Sequence, residues 1–166
     1  MPSVEIRTLD ADDWALWREV RLRSLSDAPD AFGSRLDDWQ GPNDREDRWR
    51  TRFDNVAFNA IAVVDGCVVG TAGGMHRGAA TVELVSMWVA PEIRGRGVGD
   101  ALVGAVADWA ASQSLRCVVL AVRRGNRRAV ALYERAGFVL VGPNPDDGTE
   151  DTMIRRLDLQ SSRCDR

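Results

Sequence analysis

Lysine is absent from this chain: all 22 basic residues are arginine, set against 25 acidic residues and a single histidine. Without lysine there is no Gly-x-x-x-x-Gly-Lys-Ser/Thr loop for a nucleoside triphosphate, and no Gly-x-Gly-x-x-Gly turn occurs either. A generic nucleotide-phosphate binder is set aside on those grounds. Net charge is −3, and no basic block stands alone, so no nucleic-acid partner is expected. The three cysteines are odd in number, widely spaced, and form no Cys-x-x-Cys or Cys/His cluster, so neither a metal site nor a disulfide is expected. Cys67 and Cys117 lie in strand-like runs and read as buried reduced thiols acting as small hydrophobes. No apolar run approaches the ~18 residues that span a bilayer, and Met1–Arg7 lack the cationic start and apolar stretch of a signal peptide. The expected location is cytoplasmic, with no membrane partner.

What is present describes one mixed α/β domain. Its 166 residues are 45% hydrophobic and 28% charged, ordinary for a globular chain able to bury about 70% of its unfolded surface. Val4–Leu9 alternates as a half-buried strand does. Asp10, Asp12 and Asp13 then open a helix running through Leu25, and a loop follows over 28–34. Pro42-Asn43-Asp44 opens a shorter polar helix carrying Trp49 and Phe53. Trp39, Trp49 and Phe53 either pack on the domain or line a cleft, and large aromatics more often pack. Phe58–Val64, the Asp65-Gly66 turn and Cys67–Ala72 read as a hairpin. A Gly-rich link (Gly73, Gly74, Gly78) leads to a strand from Thr81 to Val89. Val98–Ala111 is helical by spacing, Arg116–Val122 a strand buried on both faces, and Asn126–Ala136 a helix closed by Gly137. Phe138–Val141 and Thr152–Leu157 are the last strands, and residues 160–166 read as a disordered tail to a domain over 1–159.

Between strand and helix lies Arg94-Gly95-Arg96-Gly97-Val98-Gly99. Backbone N–H groups in such a turn and in the first helical turn lack partners, and the helix dipole favours an anion there. Gly97 and Gly99 let the backbone approach a ligand closely. The segment is a phosphate seat.

Three features in succession resemble the GCN5-related N-acetyltransferase (GNAT) superfamily. They are the strand ending Met87-Trp88-Val89-Ala90-Pro91, the Arg94-x-x-Gly97-x-Gly99 turn, and Asn126-x-x-Ala129-x-x-Leu132-Tyr133 followed by Ala136-Gly137-Phe138. The resemblance covers about Ala60 to Phe138. It implies a single domain with a mostly antiparallel twisted sheet of about seven strands flanked by about four helices. The implied element order is strand, two helices, three antiparallel strands, helix, strand, helix and two strands. It also implies an acyl-CoA-dependent N-acetyltransferase, with acetyl-CoA as co-substrate and transfer to a primary amine of a small molecule or peptide in a ternary complex. The alternative is a non-catalytic acyl-CoA-binding or regulatory module of the same fold.

The resemblance implies a pyrophosphate on the N–H groups of Arg94, Gly95, Arg96, Gly97, Val98 and Gly99. The pantetheine would pair like a strand with Met87, Trp88 and Val89, and Asn126 and Ala129 would complete the cofactor site. Asp100 departs from the pattern, since an acid beside the last glycine repels a pyrophosphate unless it points aside. Tyr133, the only tyrosine, falls at the position of the general acid that protonates the departing thiolate. A helix tyrosine packed beside Phe138 is the plainer alternative. Glu83 stands before Arg94 at the spacing at which histone-acetyltransferase members carry a catalytic glutamate, so it is the candidate base, directly or through water. Its alternative is a strand glutamate that faces solvent or pairs with one of the many arginines. His76 reads as an exposed loop histidine.

The acceptor is less legible. Phe32, Trp39 and Glu83 are candidate substrate contacts. Asp27, Asp30, Asp37, Asp38, Asp146, Asp147, Glu150 and Asp151 would draw a cationic amine if they rim the cleft, or else form a solvated surface. A homodimer is an open option.

Overall fold

Phe58–Val64 is apolar at every position but Asn59, and it becomes the one strand buried on both faces along its whole length. The structure, a computed structural model, describes residues 3–29 and 31–157. The expected tail at 160–166, Cys164 and Asp30 lie outside the described residues. The first half runs β1 (Glu5–Thr8), α1 (Trp14–Asp27), α2 (Glu46–Asn55), β2 (Phe58–Val64), β3 (Cys67–His76) and β4 (Thr81–Val89). The second runs α3 (Val98–Ser112), β5 (Cys117–Arg123), α4 (Arg127–Arg135), β6 (Val139–Pro143) and β7 (Glu150–Arg156). The seven-stranded sheet has the order β1-β2-β3-β4-β5-β7-β6. Every pairing is antiparallel except β4 with β5. The expected element order and sheet character are both present.

Period-two alternation in β2 divides the core. Ala60, Ala62 and Val64 pack with Leu102, Val103 and Val106 of α3. Ile61 and Val63 point the other way, onto Trp17 of α1 and Trp49 of α2. The sheet is therefore covered by α3 on one face and by α1 and α2 on the other. Each buried Leu or Val contributes roughly 1.5–3 kcal/mol. No helix among the described residues is long and apolar enough to cross a membrane.

Three local expectations are corrected. The Gly-rich link is strand: β3 continues through Gly73 and Gly74 to His76. A β-carbon on Gly74 would lie 2.9 Å from the Trp109 ring, and one on Gly73 would lie 2.7 Å from Arg52 Nη2. The glycines are gaps through which a neighbouring helix reaches the strand, not a break in it. β5 is not buried on both faces, because Val118, Leu120 and Val122 are buried while Ala121 is exposed. Its outer face is left uncovered where β4 diverges from it. Cys67 is exposed and Cys117 half-buried. Cys67 follows the Asp65-Gly66 turn, whose positive φ values of 49° and 77° suit a tight hairpin and set that residue at its tip.

α1 and α2 are joined by a polar link as well as by their tryptophans. Asp44 accepts from Arg18 Nε at 2.7 Å and from Trp49 Nε1 at 2.8 Å. The hydrogen bond from Arg18, then that from Trp49, hold its carboxyl down to about 2, against an ordinary 3.8. A folded-state value below the unfolded one means stability present above about pH 4 and lost as pH falls toward 2. Asp44→Asn should therefore lower Tm at neutral pH, with the gap from wild type closing across that window in a melt series. A gap unchanged at the acid end would contradict the assignment.

Candidate active site

β4 and β5 are paired only at Thr81–Glu83 with Cys117–Val119. Beyond that point they part. β4 bends there: Ser86 has φ 53°, and the β3–β4 register shifts between Thr71 and Gly73. A bulge of this kind kinks one strand and leaves a residue out of the ladder. The parting opens a cleft of about 960 Å³, lined by Phe32, by Met87, Trp88 and Val89 of β4, and by the start of α3.

Just before α3 the chain passes through two left-handed residues, Gly95 at φ 78° and Gly97 at φ 83°. An L side chain there costs about 1–2 kcal/mol. α3 starts immediately afterwards, and among the described residues no side chain caps it. Val98, Gly99 and Asp100 all line the cleft, so the open N–H end of the helix faces an empty volume suited to an anion. Asp100 does not oppose this alone, because Arg135 Nε of α4 lies 3.5 Å from its Oδ1.

The loop is held from behind. Arg94 donates from Nε to the Val89 carbonyl at 3.0 Å and from Nη2 to Asp27 at 3.1 Å. The same Asp27 oxygen accepts from Trp88 Nε1 at 2.9 Å. One carboxylate at the end of α1 thus ties the last residues of β4 to the loop. Arg23 lies over the Trp88 ring at 5.1 Å, which packs the other side of that indole.

Tyr133 reaches the cleft from α4 and is 7% exposed. Its ring meets Phe138 edge-on at 5.9 Å. Burial pushes its phenol well above the usual value, so the hydroxyl stays protonated. The ring is in the core while the residue still borders the cleft. Asn126 caps α4, its Oδ1 accepting from Ala129 N at 3.2 Å, and both residues line the cleft.

The cleft thus lies between splayed parallel strands, with the glycine turn and a buried phenol in its lining. The model described as the acetyltransferase (GNAT) family matches residues 16–138. This chain belongs to that family. It is 31% identical over 83 residues to an L-methionine sulfoximine/L-methionine sulfone acetyltransferase of Pseudomonas aeruginosa, over 47% of this chain and 48% of that one. It is 39% identical over 83 residues to human N-acetylaspartate synthetase, over 49% of this chain and 28% of that one. The chain spans less than half the length of these curated relatives. Among solved structures, the PaiA N-acetyltransferase of Thermoplasma acidophilum in complex with coenzyme A superposes with TM-score 0.73 at 20% identity. That match covers 93% of this chain and 99% of the other, a likeness of fold.

In this GNAT domain the cleft brings together Phe32, Met87, Trp88, Val89, Arg94, Gly95, Gly97, Val98, Gly99, Asn126, Ala129 and Tyr133. Arg96 is exposed and outside the lining. Glu83 is also outside it; it sits where β4 is paired on both sides and forms an ion pair with Arg77. Trp39 stacks on Trp49 at 4.6 Å under the Arg48 guanidinium, so it packs on the α1–α2 face. His76 ends β3, edge-on to Trp109 at 5.7 Å.

None of the acids expected to rim the cleft lines it among the described residues. Asp27 is engaged as above, Asp151 pairs with Arg124 at 2.9 Å, and Glu150 accepts from Asn144 at 3.0 Å. Sequence reasoning missed Arg123, which lines the cleft from β5, and the pair of buried Arg21 and half-buried Arg52. A signal for Arg21 existed: it lies one helical turn from both Trp17 and Leu25, on the apolar stripe of α1.

Proposed function

We propose that this GNAT protein is a cytoplasmic, acetyl-CoA-dependent N-acetyltransferase that acetylates a primary amine by direct attack in a ternary complex. The observation that carries the reading is the cleft itself, which joins an uncapped helix start to a protonated, buried phenol across the gap between β4 and β5. The pyrophosphate of acetyl-CoA would sit on the N–H groups of Val98 and Gly99, with Arg94, Gly95, Arg96 and Gly97 framing it. Met87, Trp88 and Val89, on the part of β4 that β5 has left, would pair with the pantetheine. Asn126 and Ala129 border the same path.

The neutral amine attacks the thioester carbonyl carbon, forming the N–C bond. Strand N–H groups at Met87 to Val89 stabilise the oxyanion. The C–S bond then breaks, the sulfur takes a proton from Tyr133, and the amine nitrogen gives one up. Glu83 is kept in this proposal as a base acting through water, since Arg77 holds its carboxylate beyond the cleft lining. The name of the Pseudomonas relative supports acetyl transfer. A homodimer is part of the proposal, and β6, an edge strand with Val139, Leu140 and Val141 exposed at 62%, 62% and 64%, offers the surface.

Thiol release from acetyl-CoA across an amine panel, alongside titration of CoA by calorimetry, is the test. Turnover with at least one amine is expected. CoA binding without turnover for any amine would replace this reading with that of a non-catalytic acyl-CoA-binding module.

A further inference from the structure

Two arginines lie together on the α1–α2 face, Arg21 buried and Arg52 half-buried, and among the described residues neither forms an ion pair with a carboxylate. Arg21 is 8% exposed, and its guanidinium carbon lies 4.5 Å above the Phe32 ring. Arg52 lies 4.5 Å above the Trp17 ring, which Arg21 also approaches at 6.0 Å. Arg52 spends two donors on neutral groups, Nε on Asn59 Oδ1 at 3.0 Å and Nη1 on Ser86 Oγ at 2.9 Å. Arg21 Nη1 and Arg52 Nη2 are buried with no hydrogen-bond partner among the described residues. Burial, and for Arg52 also repulsion from Arg21, pushes the guanidinium of Arg21 down to about 10 and that of Arg52 to about 9.

Unpaired buried charge costs several kcal/mol, and two like charges side by side cost more. Orphaned buried donors are rare enough that each needs a cause. An anion between the two forks would supply one, and a planar carboxylate fits them best. The position indicates which anion. Phe32, which covers Arg21, lines the cleft. Ser86, which holds Arg52, precedes Met87 at the bend of β4. Neither arginine lines the cleft itself; Arg21 lies behind Phe32, which does, and Arg52 is held by the residue before Met87, which also does. Arg123 lines the cleft as well, with a buried Nε that has no hydrogen-bond partner among the described residues.

We infer that Arg21 and Arg52 form the carboxylate-binding half of the acceptor site, so that the acceptor is an amino acid rather than a polyamine or an aminoglycoside. The inference rests on the acetyl-transfer reading for its use and on the arginine pair for its chemistry. The carboxylate enters as the Phe32 side chain turns off Arg21, a rotamer change of the size common on binding. The amino group of the same molecule is then left near Met87. Among the described residues the one acid in the lining is Asp100, which faces Arg135.

The experiment compares the standard L-amino acids with their decarboxylated amines in two readouts, thiol release from acetyl-CoA and the shift of Tm. At least one amino acid should exceed its decarboxylated counterpart by about 100-fold in kcat/KM, the size expected when a charge-assisted pair is lost. The same amino acid should raise Tm saturably. Arg21→Gln and Arg52→Gln should raise its KM by about 10–100-fold and abolish the Tm shift. The dissociation constant for CoA should not change in either variant, a check that each still folds; Arg52→Lys serves as a second variant, with partial loss expected because charge is kept and the fork is not. Equal turnover of amines with and without the carboxylate would overturn the carboxylate site and leave acetyl transfer standing. A Tm shift that needs both arginines, without any thiol release, would keep the site and remove the acetyl-transfer reading. No Tm shift and no preference would overturn the inference outright.

Discussion

Tyr133→Phe should lower kcat for thiol release by about 10²–10⁴-fold, the range over which a positioned general acid acts. The substitution removes one oxygen and keeps the ring, so the edge-on contact with Phe138 at 5.9 Å and the fit of α4 are retained. Affinity for CoA should stay within a few-fold. The effect therefore falls on kcat and not on cofactor binding, as it should for a proton delivered only while the C–S bond breaks. Burial raises the Tyr133 pKa, so the phenol remains a proton donor throughout the range in which an enzyme is assayed. The pH profile should accordingly rise toward the pKa of the amine itself and show no fall below about pH 10 from loss of the phenolic proton. Equal kcat in wild type and Tyr133→Phe would leave the residue a packing tyrosine.

Gly99→Val should raise the KM for acetyl-CoA by about 10–100-fold and also lower Tm, because one residue serves two fits. A β-carbon on Gly99 would lie 3.0 Å from Leu132 Cδ2 and 3.6 Å from Met87 Cε. The first contact is where α4 packs on α3, and the second is the wall of the cleft. Valine adds two further carbons beyond that point, and overpacking of this kind costs about 1–3 kcal/mol. The same bulk crowds the N–H groups that the pyrophosphate needs. Gly97→Ala makes a useful contrast, since nothing lies within 4 Å of its β-carbon and its φ of 83° is the only penalty. That variant should weaken CoA through loop strain of about 1–2 kcal/mol while leaving the α3–α4 contact alone. Calorimetric titration of both variants with CoA, beside their melting curves, separates the two causes. Wild-type affinity in Gly99→Val would mean that the anion seat is elsewhere.

Legibility followed the range of the interactions involved. The glycine turn was readable because its signal is local: residues with φ of 78° and 83° must be glycine, and the helix begins within a few residues of them. Asn126 came from the resemblance to the family and not from a local signal, although its side chain caps the helix that it opens. The Gly-rich link was misread because Gly73 and Gly74 owe their identity to Arg52 and Trp109, which lie far away in sequence. β5 was misread because an apolar run does not state whether the neighbouring strand stays beside it, and β4 leaves after Glu83. Glu83 satisfied a spacing rule, yet its ion pair with Arg77 and its place in the ladder could be seen only once the sheet was closed around it.

By itself the sequence determined the strands, the helices, the turn and the family, because alternation, capping and backbone conformation are properties of neighbouring residues. The tertiary structure decided where β4 and β5 part, which acids are already engaged, and that two arginines remain in the interior without a carboxylate. The physical reason is that charge compensation and the width of a cleft are sums over contacts between elements distant along the chain. An arginine in a sequence reads as a solvated surface charge, and only its neighbours in space show that Arg21 and Arg52 are not.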